Sequence, residues 1–155
     1  MHDKITPFLW FNDDLRTVIA YYQNIFNKDE SNNFQEVSYN LVMDTPGQRV
    51  ELATVTLFGN TYHFMNAQGP ARFNESFSLM ISTRDQEETD HYWDAFVLEG
   101  QELDCGWCRD KYGLCWQVTP KRLMELNASE DKDISSYSMQ QMMTMKKIII
   151  ADLER

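Results

Sequence analysis

"SFSLMISTRDQEETDHYWDAFVLEG" (residues 76–100) decides how this chain folds. Residues 76–82 are apolar and rich in strand formers, and they read as a β-strand. Residues 84–100 change period. Thr89, Tyr92, Trp93, Phe96 and Val97 fall on one stripe of a helix. Asp85 and Glu88 stand in capping-box spacing, and Gly100 suits the helix end.

The same pattern stands earlier in the chain. "ITPFLWF" (5–11) is an apolar run that ends at "NDD", and a helix follows from about Asp14 to Phe26. Its stripe is Leu15, Val18, Ile19, Tyr22, Ile25 and Phe26, and Asp13 or Asp14 supplies the cap for its first turn. A shift of 71 residues lays Asp14 on Asp85 and Tyr21-Tyr22 on Tyr92-Trp93. Self-similarity of this kind marks a duplicated supersecondary unit.

Strands follow each helix. After the first come "EVSYNLV" (36–42), "VELATVTLF" (50–58) and "TYHFMNA" (61–67), with Gly59-Asn60 as the hairpin signal between the last two. "AQGPARFNE" (67–75) is a loop. After the second, "ELDCGWCR" and "YGLCWQVT" read as strands around a turn at "DKYG". "TPKRLMEL" (119–126) is a short helix with Thr119 as cap and Pro120 at its first position. A polar connector (127–136) leads to one amphipathic helix over 136–155, with Met139, Met142, Met143, Ile149, Ile150 and Leu153 on one side. The expected organisation is an α+β domain over 1–126, built from module one (about 1–70) and module two (about 71–126). A linker and C-terminal helix then occupy 127–155. A Met-rich stripe points to adaptable packing against its own domain or a second subunit.

Composition narrows the function. The net charge is −10, from 24 acidic and 14 basic residues, so a phosphate backbone is repelled and nucleic acid is not an expected partner. The opening "MHDKITPFLWFNDD" has no apolar run behind basic residues, and no stretch approaches a membrane span. The 3 cysteines are an odd number without an export signal, which suggests reduced thiols and a cytoplasmic setting. Cys105 and Cys108 form a Cys-x-x-Cys, but the helix precedes the motif, so no helix N-terminus lowers the thiol pKa. Zinc would need four soft ligands; beyond Cys115 only the distant His63 and His91 remain. Free thiols in a hairpin are the expectation.

The text from Ile5 to Tyr22, "FNESFSLMISTRDQEETDHYWDAF", "DCGWCRDKYGLCWQVTPKRLMEL" and the closing "MMTMKKIIIADLER" resemble the vicinal oxygen chelate superfamily. Within it they resemble the PhnB-like branch, also labelled demethylubiquinone methyltransferase-like. The resemblance implies paired βαβββ modules forming a curved, half-open mixed sheet, usually as a homodimer. It places the superfamily's metal-ligand positions on Pro7, on one residue within His63–Asn66, on Ser78 and on Gln117. Proline offers no side-chain donor and a serine hydroxyl holds divalent ions poorly, so no metal and no cofactor are predicted.

The expected function is therefore a small-molecule-binding protein without the usual metal site. Its pocket candidates are Phe8, Trp10, His63, Phe64, Ser78, Trp107, Trp116 and Gln117. Aromatic side chains of this kind suit a planar or apolar ligand. Two alternatives stand beside it. One is a divalent-metal lyase or isomerase of glyoxalase type, using His63, Gln117 and a carboxylate such as Glu51. The other is the methyltransferase of the family label. The six glycines (47, 59, 69, 100, 106, 113) build no Gly-rich strand-to-helix turn of the kind that lets backbone approach a nucleotide-like methyl donor.

Overall fold

In the computed structural model, residues 4–155 are described; the first three residues of the opening text lie outside them. The chain divides into two units, Met1–Arg72 and Phe73–Arg155.

Unit one runs β1 (Phe8–Phe11), α1 (Leu15–Phe26), β2 (Phe34–Thr45), β3 (Gln48–Leu57) and β4 (Asn60–Asn66). Unit two opens with β5 (Ser78–Thr83), α2 (Gln86–Val97), β6 (Gln101–Glu102), β7 (Trp107–Arg109) and β8 (Cys115–Pro120). The first sheet has the order β1-β4-β3-β2 and the second β5-β8-β7-β6, with β1 parallel to β4 and β5 parallel to β8. The topology is thus the same in both units: βαβββ, an open four-stranded mixed sheet with one helix. This is an α+β fold of paired βαβββ modules.

The helices form where the sequence placed them because their signals are local. Asp14 accepts a hydrogen bond from the Thr17 N–H at 3.3 Å, and Asp85 accepts one from the Glu88 N–H at 2.9 Å. Glu88 does not complete a capping box; its carboxylate accepts from the backbone N–H of Arg84 instead. All six predicted stripe residues of α1 are buried. On α2 Thr89, Tyr92, Trp93 and Phe96 are buried, and Val97 is partly covered. Each fully buried large apolar side chain contributes about 1.5–3 kcal/mol. Asn27 and Asn33 fasten the end of α1 to the start of β2: Asn27 donates to Phe34 O and accepts from Phe34 N, and Asn33 donates to Phe26 O.

Four local expectations shift. The β3–β4 hairpin turns on Phe58-Gly59, both at positive φ (49° and 82°), rather than on Gly59-Asn60. Phe58 holds this conformation because its N–H donates to Asn33 O at 2.8 Å and its ring meets Phe26 edge-on. "ELDCGWCR" is two short strands, β6 and β7, flanking a turn at Cys105-Gly106, again at positive φ. The helix after β8, α3, spans Lys121–Asn127 with Pro120, not Thr119, at its cap. The expected continuous helix over 136–155 is instead α4 (Lys132–Met142), an irregular strap, and a 3-10 turn at Ile150–Asp152.

The strap explains the interruption. Met145 O and Lys146 O accept the N–H groups of Cys105 and Gly106, each at 2.8 Å. Gln86 donates to Ile148 O and accepts from Ile150 N, while Lys147 lies against Asp90 and Asp94. Ile148 and Leu153 are buried with Leu123 and Leu126 in one cluster, joined by Met142 and Met145. A helix through 143–149 would forfeit these pairings.

Candidate functional site

Strand alternation assigns the faces. In unit one Leu9, Phe11, Ala53, Val55, Leu57 and Phe64 are buried on the side that α1 covers. Phe8, Trp10, Leu52, Thr54, His63 and Met65 lie on the opposite, open face. Phe8 pairs with His63 across the parallel strands, with ring centroids 5.7 Å apart. The His63 Nδ1 is hydrogen-bonded with the Thr54 hydroxyl at 3.0 Å. Trp10 is roofed by the loop after β4. Asn12 accepts from Gly69 N at 3.0 Å and donates to Ala71 O at 2.7 Å, and a Cβ built on Gly69 would lie 2.4 Å from the indole. The indole N–H of Trp10 is shielded and has no acceptor.

Register places no Asp, Glu, Lys or Arg on this open face of sheet one. The nearby acid Glu51 points the other way. Its side chain is fully buried on the α1 side, where it accepts from Leu15 N (3.3 Å), Asn66 Nδ2 (2.9 Å) and Tyr39 OH (2.5 Å). Glu51 and His63 are therefore on opposite faces of one sheet and cannot share a metal ion.

In unit two, α2 covers the face carrying Ile81, Thr83, Cys108, Trp116 and Val118. The opposite face presents Ser78, Met80, Trp107, Gln117 and Arg109, whose guanidinium pairs with Glu75. Gln117 pairs with Trp107 on one side and Met80 on the other, and its Nε2 donates to the Ser78 hydroxyl at 3.0 Å.

Six of the eight pocket candidates thus lie on open faces: Phe8, Trp10 and His63 in unit one, Ser78, Trp107 and Gln117 in unit two. Two do not. Phe64 is in the core against Phe11, Tyr22 and Phe34. Trp116 stacks on Phe96 with centroids 4.6 Å apart, and its indole N–H donates to the buried Asp110. Neither has a free ring face to offer a ligand. Thr54, Met65 and Met80 were missed; the alternation within "ELATVTL" would have put Thr54 beside His63.

The positions implied as metal ligands do not fit a cation. The Pro7 carbonyl, its only donor, is engaged by the His63 N–H at 3.0 Å, and the Ser78 oxygen accepts from Gln117; the bond from His63 Nδ1 to Thr54 leaves Nε2 as the one imidazole donor on this face, too few for a cation. No group of three or more His, Cys, Asp or Glu with metal-holding geometry occurs among the described residues. The cysteines are not a redox pair either. All three are free; Cys105 sits in the turn before β7, and Cys108 is buried beneath α2. Burial first, then the Asp110 carboxylate, pushes the Cys108 thiol up to about 12, away from thiolate chemistry.

Residues 3–119 match the family described as 3-demethylubiquinone-9 3-methyltransferase. Among solved structures, a PhnB protein from Bacillus cereus superimposes with a TM-score of 0.64 at 26% identity, covering 76% of this chain and 99% of its own. A Pseudomonas aeruginosa protein gives 0.56 at 14% identity, covering 77% and 98%. The fosfomycin resistance protein FosX from Listeria monocytogenes, solved with Mn(II) and sulfate, gives 0.53 at 17%, covering 75% and 90%. No curated protein matches the chain. The glyoxalase-like fold of the vicinal oxygen chelate superfamily is common to these structures and this one. No helix among the described residues is long and apolar enough to cross a membrane.

Proposed function

The chain belongs to the 3-demethylubiquinone-9 3-methyltransferase family, and from that premise we propose that it binds an uncharged, planar or apolar small molecule without a metal ion. One observation carries this reading: the open face of sheet one offers aromatic, aliphatic and hydroxyl groups and one imidazole, with no ionic side chain. An ion would find no counter-charge on this face. A planar neutral ring loses little solvation and gains the exposed ring of Phe8, with the partly covered Trp10 beside it. A quinone ring, the chemistry in the family's name, is of this class.

Methyl transfer has less support. The strand-to-helix junctions, where a nucleotide-like donor would meet bare backbone N–H groups, are occupied by the carboxylates of Asp14 and Asp85. The metal-dependent lyase has no donor set to stand on. The reading extends to a cytoplasmic homodimer. Three free thiols, two of them buried, suit a reducing setting, and the edge strand β2 displays Val37, Leu41, Val42 and Met43 to solvent, a surface that a second copy would cover.

Tryptophan fluorescence tests the site. Trp93 and Trp116 are buried with their N–H groups bonded to Glu102 and Asp110, so a ligand on the open faces must report through Trp10 or Trp107. A soluble benzoquinone is expected to give saturable quenching that disappears in the Trp10→Phe, Trp107→Phe double variant. Quenching that is non-saturable, or that survives the double substitution, refutes the proposal.

A further inference from the structure

A cleft lies far along the chain from the residues above. It has a volume of about 300 Å³, within the range of pockets for small ligands. All its walls come from residues 122–155, beyond the segment 3–119 that matches the family. Its apolar surface is Leu126 of α3, Ile134 and Tyr137 of α4, and Leu153 after the 3-10 turn. One wall is stiffened by Arg122, which holds both carboxylate oxygens of Glu154 (2.6 and 3.0 Å) and also Glu125, so these charges are mutually satisfied.

Two other charged residues line the cleft and form no salt bridge among the described residues. Arg155 lies over the Tyr137 ring, 4.5 Å from its centroid, and the Asp133 carboxylate belongs to the first turn of α4. Opposite charges beside an apolar wall complement a molecule that carries both charges and an apolar body. A simple anion would meet Asp133 and Glu154, and a simple cation would meet Arg155 and Arg122; either gains from one group and is repelled by another.

We propose that this cleft is a second binding site, independent of the sheet faces, for a small zwitterion with an apolar side chain, such as an apolar α-amino acid. The ammonium group pairs with Asp133, the carboxylate with Arg155, and the side chain covers Leu126, Ile134 and Leu153.

The test is a backbone-amide NMR titration of the full chain with L-leucine, raised to about 10 mM, which detects even millimolar affinity. Shifts are expected to saturate and to cluster in residues 122–137 and 153–155. Asp133→Asn and Arg155→Gln are each expected to weaken binding about two- to fivefold, as loss of one solvent-exposed ion pair does. Both residues are exposed, so the variants keep the fold. 4-Methylpentanoate and isoamylamine, each with one charge removed, are expected to bind about two- to fivefold more weakly than leucine. The proposal is overturned if leucine gives no saturable shifts in these segments, if either one-charge analogue matches it, or if both substitutions leave its affinity unchanged. Benzoquinone quenching at Trp10 and Trp107 is a separate readout and decides neither outcome.

Discussion

Replacing Glu51 by leucine tests the interior of unit one. The Glu51 carboxylate is fully buried and gathers three donors: the Leu15 N–H at the first turn of α1, the Asn66 amide of β4 and the Tyr39 hydroxyl of β2. Leucine fits the volume but accepts nothing. Two donors, Leu15 N–H and the Asn66 amide, are then left buried and unbonded, at about 1–3 kcal/mol each. Tyr39 is half-buried and can turn to water. Added apolar burial offsets part of the loss, so Glu51→Leu is expected to cost about 2–4 kcal/mol. With a urea slope of about 2 kcal/mol per M, the middle of the usual range, the midpoint falls by roughly 1–2 M. Glu51→Gln keeps one oxygen for Leu15 and Asn66 and turns its amide to the Tyr39 oxygen, so it should cost only about 1 kcal/mol. Tyr39 gives an independent signal. Its pKa is raised above the ordinary 10.0, first by the hydrogen bond to Glu51 and then by burial. A raised pKa stabilises the fold fully below pH 10 and loses that contribution as the pH climbs through the folded-state value. In Glu51→Gln the tyrosinate difference spectrum should show Tyr39 ionising nearer its ordinary value, with a smaller alkaline loss. The reasoning fails if Glu51→Leu unfolds at the wild-type urea concentration, or if Glu51→Gln is as damaging as Glu51→Leu.

Thiol labelling with a chromogenic disulfide should modify Cys105 in the native state and reach Cys108 and Cys115 only on unfolding, because both are fully buried and the Cys108 thiol is held up at about 12. Equal labelling rates for Cys105 and Cys108 would contradict this. Gly100→Ala should lower the thermal midpoint by about 2–10 °C, since its Cβ would fall 1.9 Å from Arg109 O and 2.6 Å from Phe96 O, backbone atoms that cannot swing aside. Gly47→Ala, whose Cβ meets nothing within 4 Å, should leave the midpoint in place.

The parts of the fold legible in the sequence rest on short-range chemistry. Asp14 and Asp85 cap helices three residues away, and the two apolar stripes need only the helical period. The parts that were not legible depend on distant partners. Phe58 occupies a left-handed turn position because of Phe26 and Asn33, neither a neighbour in sequence. Residues 143–149 carry a plausible helical stripe, yet the backbone of Cys105 and Gly106 and the side chain of Gln86 pull them into a strap. In the site, "TYHFMNA" alternates cleanly, but which half of the alternation faces α1 is set by packing against Phe11 and Tyr22. Asn66, a polar residue on the core side, hid that choice because its partner Glu51 lies fifteen positions back.

The buried acids supply the link between fold and ligand. In unit one Glu51 ties the start of α1 to β2 and β4. In unit two the buried Asp110 accepts from Tyr112 N, Leu114 N and the Trp116 indole, closing the turn between β7 and β8. Each module therefore uses a carboxylate inside its own framework, behind the sheet or in a turn. The open face of sheet one keeps hydroxyls, one imidazole and aromatic rings, with Thr54 and His63 bonded to each other and the Trp10 indole N–H shielded without an acceptor. Such a face has little to offer a cation and little to lose to an apolar ring. Placing a carboxylate there, as in Thr54→Asp, would add an anionic donor beside the His63 imidazole. If that one change gave this protein a stoichiometric divalent ion, charge at the sheet face rather than backbone shape would be what governs metal binding on this fold.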